Sequence, residues 1–427
     1  MTSSTRKRAS TAIIGFSSVV TFLIIFARSF GTWGALRGDE SLLLSDAIGR
    51  GFSALFDPFG GYLHLAQRAV VTFVSLFPKE NFPQFLLLIS VVFWLLNLML
   101  LARSVSRVTS TLTPWFYLPF ISCLPVLGIE LVGDTVHIQV AMFIGIAAVI
   151  VLDQLPTRRA WLHAFGLYVL VFGLSSPSIV LVSLALFYRH ERPTEGLREG
   201  EHRHQLVLRY AIAGLLVQLW ATALQDERDL FFSFDNFLTG IRFIVHSVLP
   251  QPFRDMYFDS SANGPGTLNT LLQFAVLVLI VGALLRITKQ RAENRIFWEL
   301  LGLAIVASIF YTTISDSYHT GYLAALQIYG TVSALQFLKN STPQTRAVSF
   351  FALVVLAIGS LQSFKPSQAS DVFYGGGGWL YTDLVQWDDA LLEAGNACEA
   401  DPSRDVFVAT NRVDSYWGVV LNCEDLR

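Results

Sequence analysis

Long apolar segments separated by short polar ones make up most of the chain. A helix needs about 20 apolar residues to cross the roughly 30 Å hydrocarbon core of a bilayer. No small-residue cleavage site follows the first segment, so we expect a retained helix rather than a signal peptide. The pattern predicts an all-α polytopic membrane protein with about 11 transmembrane helices. The predicted spans lie at about 11–30, 84–102, 114–129, 138–152, 160–174, 178–188, 207–224, 270–286, 296–312, 320–337 and 346–363.

The composition agrees with exposure to lipid and limits the partners. Hydrophobic residues make up 53% of the chain and charged residues only 15%, whereas a soluble domain carries about 25% charged residues. The net charge is −2, and the basic residues occur in short scattered clusters. Since nucleic-acid binding needs a basic surface, we expect membrane lipids rather than nucleic acid as partners.

The basic residues predict the orientation of the spans. If the N-terminus is cytoplasmic, 18 of the 30 basic residues fall in short loops on the inner side. Cytoplasmic loops of membrane proteins carry such an excess of Lys and Arg. An odd number of spans then places the C-terminal tail outside the cytoplasm. The inner basic residues are Arg6, Lys7, Arg8, Arg103, Arg107, Arg158, Arg159, Arg189, Arg192, Arg198, Arg203, Arg209, Arg286, Lys289, Arg291, Arg295, Lys339 and Arg346.

Three polar regions on the predicted outer side are long enough to carry a site. They are residues 31–83, residues 225–269, which favour an interfacial or re-entrant helix, and the tail 364–427; residues 1–363 form the transmembrane domain. A GGGG run in the tail predicts a flexible hinge before a small docking cap, in which DVFVAT favours a strand. Because disulfides persist outside the cytoplasm, we expect one between Cys398 and Cys423 in this tail.

The first outer loop opens with an acidic pair and two apolar helical patterns. In GDESLLLSDAIGRGFSALF the apolar residues recur at helical spacing, which predicts an amphipathic helix in the membrane interface. The following GYLHLAQRAVVTFVSLFP repeats the pattern, with Tyr62, His64 and Arg68 as polar exceptions. Two such helices would border a cleft at the level of the lipid headgroups. That cleft suits a substrate with a polar head and a long hydrocarbon tail.

These residues carry a resemblance to a known superfamily. A first membrane helix followed by an outer loop with an acidic pair and a semi-inserted helix pair resembles the GT-C glycosyltransferases, multi-pass enzymes that use lipid-phosphate-linked sugars. GDESLLLSDAIGRG is similar to the acidic loop of the branch that includes protein mannosyltransferases and lipid A aminoarabinose transferases. GGYLHLAQR resembles a motif of bacterial members. No WWDYG-like sequence is present, which argues against an oligosaccharyltransferase.

The resemblance implies an inverting transfer of a sugar from a polyprenyl-phosphate donor to a lipid or glycan acceptor of the cell envelope. The enzyme would lie in a bacterial cytoplasmic membrane and act at its outer face. Asp39 would be the catalytic base. Glu40 would orient the acceptor or, with Asp134, hold a divalent cation such as Mg²⁺ or Mn²⁺. Arg68, with His64 and Tyr62, would contact the lipid phosphate, since the planar guanidinium can donate two hydrogen bonds at once.

Each of these assignments has a structural alternative. Asp39 and Glu40 could simply favour the dipole of an interfacial helix from its first turn. Arg68 could extend to the lipid headgroups. His64 could be a packed histidine.

Two further groups of polar residues lie near predicted outer span ends. Glu130, Asp134 and His137, in LGIELVGDTVHIQV, either form a second wall of the same site or simply belong to a hydrated loop. SDSYHTGY resembles the late helix on which many GT-C proteins carry an arginine near the donor phosphate, and the resemblance implies that His319 would take the place of that arginine.

A transporter or flippase of lipid-linked glycans is the alternative function. Transporters often show two related halves and place ionisable residues near the bilayer midplane. This chain instead has most of its charges in loops and shows no matching halves, which favours the transferase.

Overall fold

Helices form nearly all of the chain that the computed structural model describes, namely residues 3–30, 33–124, 127, 129–191, 198–223, 292–314, 321–362, 384–411 and 417–426. The all-α prediction is confirmed, with one β-hairpin near the C-terminus as the exception. The helices are α1 (Ser3–Ser29), α2 (Gly38–Arg50), α3 (Leu65–Val74), α4 (Phe82–Thr109), α5 (Tyr117–Ser122), α6 (Ile129–Gly133), α7 (Ile138–Val151), α8 (Arg159–Gly173), α9 (Ile179–Glu191), α10 (Arg198–Ala223), α11 (Ala292–Ile314), α12 (Gly321–Asn340), α13 (Pro343–Gln362) and α14 (Trp387–Ala400).

Three helical segments within the described ranges are long and apolar enough to cross a membrane: Ser10–Ser29, Lys79–Thr109 and His202–Ala223. These segments are consistent with a membrane protein. They do not support the predicted number of about 11 spans. The predicted span 270–286 and the outer loop 225–269 lie outside the described residues.

The predicted span at 114–129 is wrong as a single helix. The segment begins with a 3₁₀ turn at Thr113–Phe116 and continues as α5, which ends at Ser122. Pro125 follows closely, and helices rarely continue into the residue before a proline. The buried side chain of Arg28 donates hydrogen bonds to the carbonyls of Ser122 and Leu124, at 2.9 and 2.8 Å. Arg28, at the end of α1, therefore hydrogen-bonds to backbone carbonyls at and just after the end of α5.

Helix α7 explains why apolar runs overestimate the number of spans. Each residue of α7 is buried within the protein, although the helix has only 14 residues. A helix that is apolar on all sides is surrounded by protein or by lipid, and one of this length is typical of a protein core. Tyr329, on α12, donates a hydrogen bond to the carbonyl of Ile144 at 2.6 Å. Helix α7 is thus enclosed by its neighbours.

The first outer loop folds as the predicted pair of helices. Helix α2 and helix α3 pack against each other, joined by a 3₁₀ turn at Gly51–Phe56. Large apolar side chains in this turn and around the end of α3 remain exposed: Phe52, Phe56, Phe73 and Leu76. Exposed apolar side chains of this size indicate contact with lipid or with a partner. Their position favours an interfacial location for the loop.

Residues 384–411 and 417–426 form a small cap built from α14 and two paired strands. Strand β1 (Asp405–Ala409) pairs antiparallel with β2 (Gly418–Asn422), with Phe407 opposite Val420. The predicted strand in DVFVAT and the predicted Cys398–Cys423 disulfide are both confirmed. The disulfide joins the end of α14 to the residue after β2.

The cap docks on the first outer loop. The amide of Trp387 donates to the carbonyl of Gly34 and its indole N–H to the carbonyl of Lys79, both at 2.7 Å. The amide of Val420 donates to Ser45 Oγ at 3.0 Å. Strand β2 therefore lies along α2, and the cap and the first loop share one side of the molecule.

Removing the disulfide should destabilise the cap. We expect Cys398→Ala with Cys423→Ala to lower the free energy of unfolding of the cap by about 3 kcal/mol, because the open loop gains conformational entropy when it unfolds. Hydrogen exchange of residues 387–426 measures this loss. Cys123→Ala is the matched control, since Cys123 is the free cysteine. Equal exchange in the double variant and the control would contradict the prediction.

Candidate functional site

The acidic pair lies at the start of α2. Asp39 and Glu40 occupy the first turn, and Arg37 is the N-cap residue in an extended conformation, without a side-chain capping bond. Negative charge in a first turn interacts favourably with the helix dipole. The structural alternative for the pair therefore fits its position, and any further role depends on what the two carboxyl groups contact.

Glu40 hydrogen-bonds to a loop that lies far from it in the sequence. Its side chain is 2% exposed, and its Oε2 accepts a hydrogen bond from the amide of Thr135 at 3.0 Å. The same loop is held by α4, where Ser90 donates to the carbonyl of Val132 at 2.7 Å and Trp94 donates to that of Leu131 at 3.1 Å. These bonds bring residues 131–137 next to the start of α2.

Asp134 and His137 lie at the turn that leads into α7. Asp134 Oδ1 caps this turn by accepting from the amide of Val136 at 2.9 Å, and Oδ2 lies 3.6 Å from His137 Nδ1. Both side chains are nearly buried. The two residues are also charged neighbours of Asp39. The structure thus places this pair beside the acidic pair.

Arg37 provides positive charge between the carboxylates. Its side chain is 4% exposed, and its charge faces Glu40 and Asp134. The guanidinium occupies the space that a Cβ at Gly133 would need, so a larger residue at position 133 would displace the Arg37 side chain. We call Arg37, Asp39, Glu40, Asp134 and His137 the carboxylate cluster. Sequence reasoning missed Arg37, although its place two residues before Asp39 was a signal.

Burial and mutual charge separate the pKa values of the three carboxyl groups. Burial, together with the charge of Asp134, raises the pKa of Asp39 above its ordinary value, against the opposing effect of His137. Burial and the Asp134 charge likewise raise the pKa of Glu40 to about 7. Burial alone would raise the pKa of Asp134, but His137, Arg37 and the Val136 amide outweigh it and lower the pKa. Adjacent carboxyl groups titrate together in this way, because the negative charge on one raises the pKa of its neighbour.

Accessibility distinguishes Asp39 from Glu40. The Glu40 side chain is buried, with one oxygen on the Thr135 amide, whereas Asp39 retains intermediate exposure. The cap approaches here: the indole of Trp417 lies 3.0 Å from the position of a Cβ on Gly38. Asp39 is therefore the carboxyl group of the pair that a substrate could reach, beneath the edge of the cap.

Arg68 belongs to a separate ion-pair network, made of Asp46, Arg50, Asp57 and Arg68. Both terminal nitrogens of Arg68 donate to Asp46 Oδ2 at 3.1 Å. Arg50 lies 3.1 Å from Asp46 and 2.6 Å from Asp57. The Arg68 side chain is only 1% exposed. The network ties α3 to α2, about two helical turns beyond the acidic pair.

The remaining predicted site residues are placed as follows. His64 is buried and stacks on Tyr62, with 4.1 Å between ring centroids. Glu130 lies on α6, but its side chain is outside the described residues, as is His319.

Glu40 and Asp134, the predicted cation ligands, each use one carboxylate oxygen in a hydrogen bond to the backbone. The accepting oxygens are Glu40 Oε2 and Asp134 Oδ1. No group of three or more His, Cys, Asp and Glu suited to a metal ion occurs among the residues that the structure describes.

Glu40 should make stability depend on pH. The folded protein holds the Glu40 proton more tightly than the unfolded chain does, because the pKa is raised from 4.5 to about 7. The free energy of unfolding should therefore fall as pH rises from about 4.5 to about 7 and change little above that range. Glu40→Gln should remove this slope and keep an acceptor for the Thr135 amide. Melting temperatures of both proteins between these pH values measure the effect.

Glu40→Ala is the companion variant. It leaves the Thr135 amide unpaired, and we expect a loss of about 1–3 kcal/mol at every pH. Identical pH slopes in the wild type and Glu40→Gln would refute the assignment of the raised pKa to Glu40.

The carboxylate cluster combines an accessible carboxyl group of raised pKa with a neighbouring histidine and a buried arginine. Such a set can accept a proton from a bound hydroxyl group at near-neutral pH. Comparison with known proteins adds no assignment. No protein-family model, no curated protein and no solved structure matches the chain.

Proposed function

We propose that the protein is an inverting glycosyltransferase of the bacterial cytoplasmic membrane. It transfers a sugar from a polyprenyl-phosphate donor to a lipid or glycan acceptor of the cell envelope at the outer face. One observation carries the proposal: the half-buried Asp39 carboxyl group, with its raised pKa, lies between the dipole of α2 and the Asp134–His137 pair. The likeness of the DE-containing loop to GT-C enzymes supports the same reaction.

Asp39 acts as the general base. It takes the proton of an acceptor hydroxyl group while the oxygen attacks the anomeric carbon, and the bond from that carbon to the phosphate oxygen breaks. The bonding electrons leave with the lipid phosphate, so configuration at the anomeric carbon inverts. A base works best when its pKa lies near the working pH. Burial of Asp39 shifts its pKa in that direction.

The neighbours of Asp39 have supporting roles. Glu40 is a positioning residue, because its bond to the Thr135 amide holds Asp134 and His137 in place. His137 is the residue that we assign to the departing phosphate, as a hydrogen-bond donor. Arg68 holds α3 against α2 through Asp46. We therefore propose a structural role for Arg68 in place of the predicted contact with phosphate.

The surroundings of the cluster suit an amphiphilic donor. Phe52, Phe56, Phe73 and Leu76 expose apolar side chains along the first loop, and such side chains insert at the boundary of headgroups and acyl chains. The acidic pair of the carboxylate cluster and Asp46 of the ion-pair network both lie on α2. A donor with its polyprenyl chain in the bilayer could present its sugar to Asp39 from the side.

The test is transfer of radiolabelled sugar in membranes that contain the full chain. A panel of polyprenyl-phosphate sugars is incubated with wild-type membranes and with membranes lacking the protein. Labelled product with one donor, dependent on the protein, supports the transferase. If no donor yields product while a fluorescent lipid-linked glycan crosses vesicles containing the protein, the protein is a flippase and the proposal fails.

A further inference from the structure

A second candidate site lies at the far end of α4 and α7 from the carboxylate cluster. A cavity of about 580 Å³ opens between the C-terminal half of α4, the end of α7 and the start of α8. On α4, Ser90 contacts the cluster loop, and Arg103 lines the cavity 13 residues later. A rise of 1.5 Å per residue separates them by about 20 Å along the helix. The cavity is therefore remote from Asp39.

The cavity combines cationic and apolar lining. Arg103, Arg107 and Arg158 lie at its edge, while Leu100, Val149 and Phe165 provide apolar walls. Arg103 and Arg107 are four residues apart on α4, and like charges at this spacing repel each other. A bound anion would relieve this repulsion.

The three arginines are not neutralised by acidic groups in the described part of the chain, where none of them forms an ion pair. Asp153, the acidic residue nearest to the cavity in sequence, is 3.3 Å from His204. Helix α8 begins at the cavity, with Arg158 as its N-cap and no side-chain capping bond. The amides of its first turn add partial positive charge.

Trp161 lies at the exposed side of the cavity. It lines the cavity and exposes 65% of its surface. Tryptophan is enriched where a membrane protein meets the headgroup region. An aromatic ring at this point, next to arginines and apolar walls, matches a ligand that has both a phosphate group and an acyl chain.

We propose that this cavity is a binding site for an anionic phospholipid, separate from the transferase site. The phosphate group lies between Arg103, Arg107 and the start of α8, and an acyl chain runs along Trp161 and the apolar wall. Arginine suits phosphate because its planar group donates two hydrogen bonds. Basic cavities between membrane helices bind the headgroups of anionic lipids. Because the positive-inside pattern predicts the cytoplasmic face for these arginines, we expect a lipid of the inner leaflet.

Native mass spectrometry of the full chain in detergent tests the site. The probes are dioleoyl phosphatidylglycerol and dioleoyl phosphatidylcholine, which share acyl chains and differ in net charge. We expect the wild type to retain phosphatidylglycerol selectively. Arg103→Gln with Arg107→Gln should reduce this retention about tenfold or more, since each arginine near a bilayer surface contributes to anion binding. Arg159→Gln is the matched control, because Arg159 is exposed and does not line the cavity.

The outcomes separate the possible explanations. If the double variant retains as much phosphatidylglycerol as the wild type, the proposed site is wrong. If Arg159→Gln loses as much phosphatidylglycerol as the double variant, diffuse surface charge explains the binding and the site is also wrong. Displacement of phosphatidylglycerol by millimolar inorganic phosphate would identify a free-phosphate site and overturn the lipid assignment. Arg103 and Arg107 are exposed, so the fold should survive; if the double variant aggregates, Arg158→Gln alone gives the same test. Sugar transfer is not used as a readout, so the transferase proposal can fail independently.

Discussion

Sugar transfer should fall by about 10²–10⁴-fold when Asp39 is replaced by asparagine, the usual contribution of a general base. Asparagine keeps the size of the side chain and loses the proton acceptor. The first turn of α2 should keep its shape, because Asp39 supplies no capping hydrogen bond in the described structure. Initial rates with the active polyprenyl-phosphate donor, at equal protein level, measure the change.

Asp388→Asn is the matched control for this variant. Asp388 lies in the first turn of α14, is exposed, and interacts with a helix dipole as Asp39 does. It should transfer sugar at the wild-type rate. Equal rates for Asp39→Asn and the wild type would sink the assignment of Asp39 and leave the helix dipole as the reason for the acidic pair.

The pH profile gives an independent check within the same experiment. Asp39 must be ionised to accept a proton, and burial raises its pKa. The rate should therefore decline on the acidic side at a higher pH than an ordinary aspartate would give. In Asp39→Asn this acidic limb should disappear from the residual rate.

Arg37→Met should cost about 3–5 kcal/mol of stability, because it leaves buried carboxylates without their positive partner. Arg37 is 4% exposed, and its charge faces Asp134 and Glu40. Methionine fills much of the volume, so the loss should arise from charge rather than from a cavity. Thermal unfolding in detergent, followed by tryptophan fluorescence, should show a large drop in melting temperature.

Arg50→Met makes the same chemical change at an exposed ion pair. The Arg50 side chain is 49% exposed although it lies near Asp46 and Asp57, and exposed pairs contribute about 0–1 kcal/mol. Adding Asp134→Asn to Arg37→Met should restore part of the loss by removing the buried charge. Equal drops for the two single variants would show that the charge of Arg37 is not compensating the carboxylates.

Local pattern predicts the elements of the first loop and of the cap. The helical spacing of leucines gives α2, and the β-forming residues of DVFVAT give β1, because both depend on neighbours in sequence. The Cys398–Cys423 pairing follows from two cysteines in one polar tail. The number of spans is not predictable in this way, since a helix such as α7 is apolar because protein surrounds it.

The candidate site depends on contacts that local pattern does not contain. Glu40 and Thr135 are 95 residues apart. They meet because α4 holds the loop that contains Thr135. For that reason sequence alone leaves the roles of Asp134 and His137 open. Arg68 is equally instructive: its helix is predictable, but its pairing with Asp46 depends on how α3 packs on α2.

The docking of β2 on α2 has a consequence for biosynthesis. Val420 and Ser45 are separated by 375 residues along the chain, so the ribosome makes the two partners roughly tens of seconds apart. Throughout that interval the start of α2 is already translated but lacks the ring of Trp417 over Gly38. The nascent chain therefore contains the acidic pair well before it contains the part of the cap that lies next to that pair. The surroundings of the acidic pair can therefore be completed only after the ribosome has made strand β2.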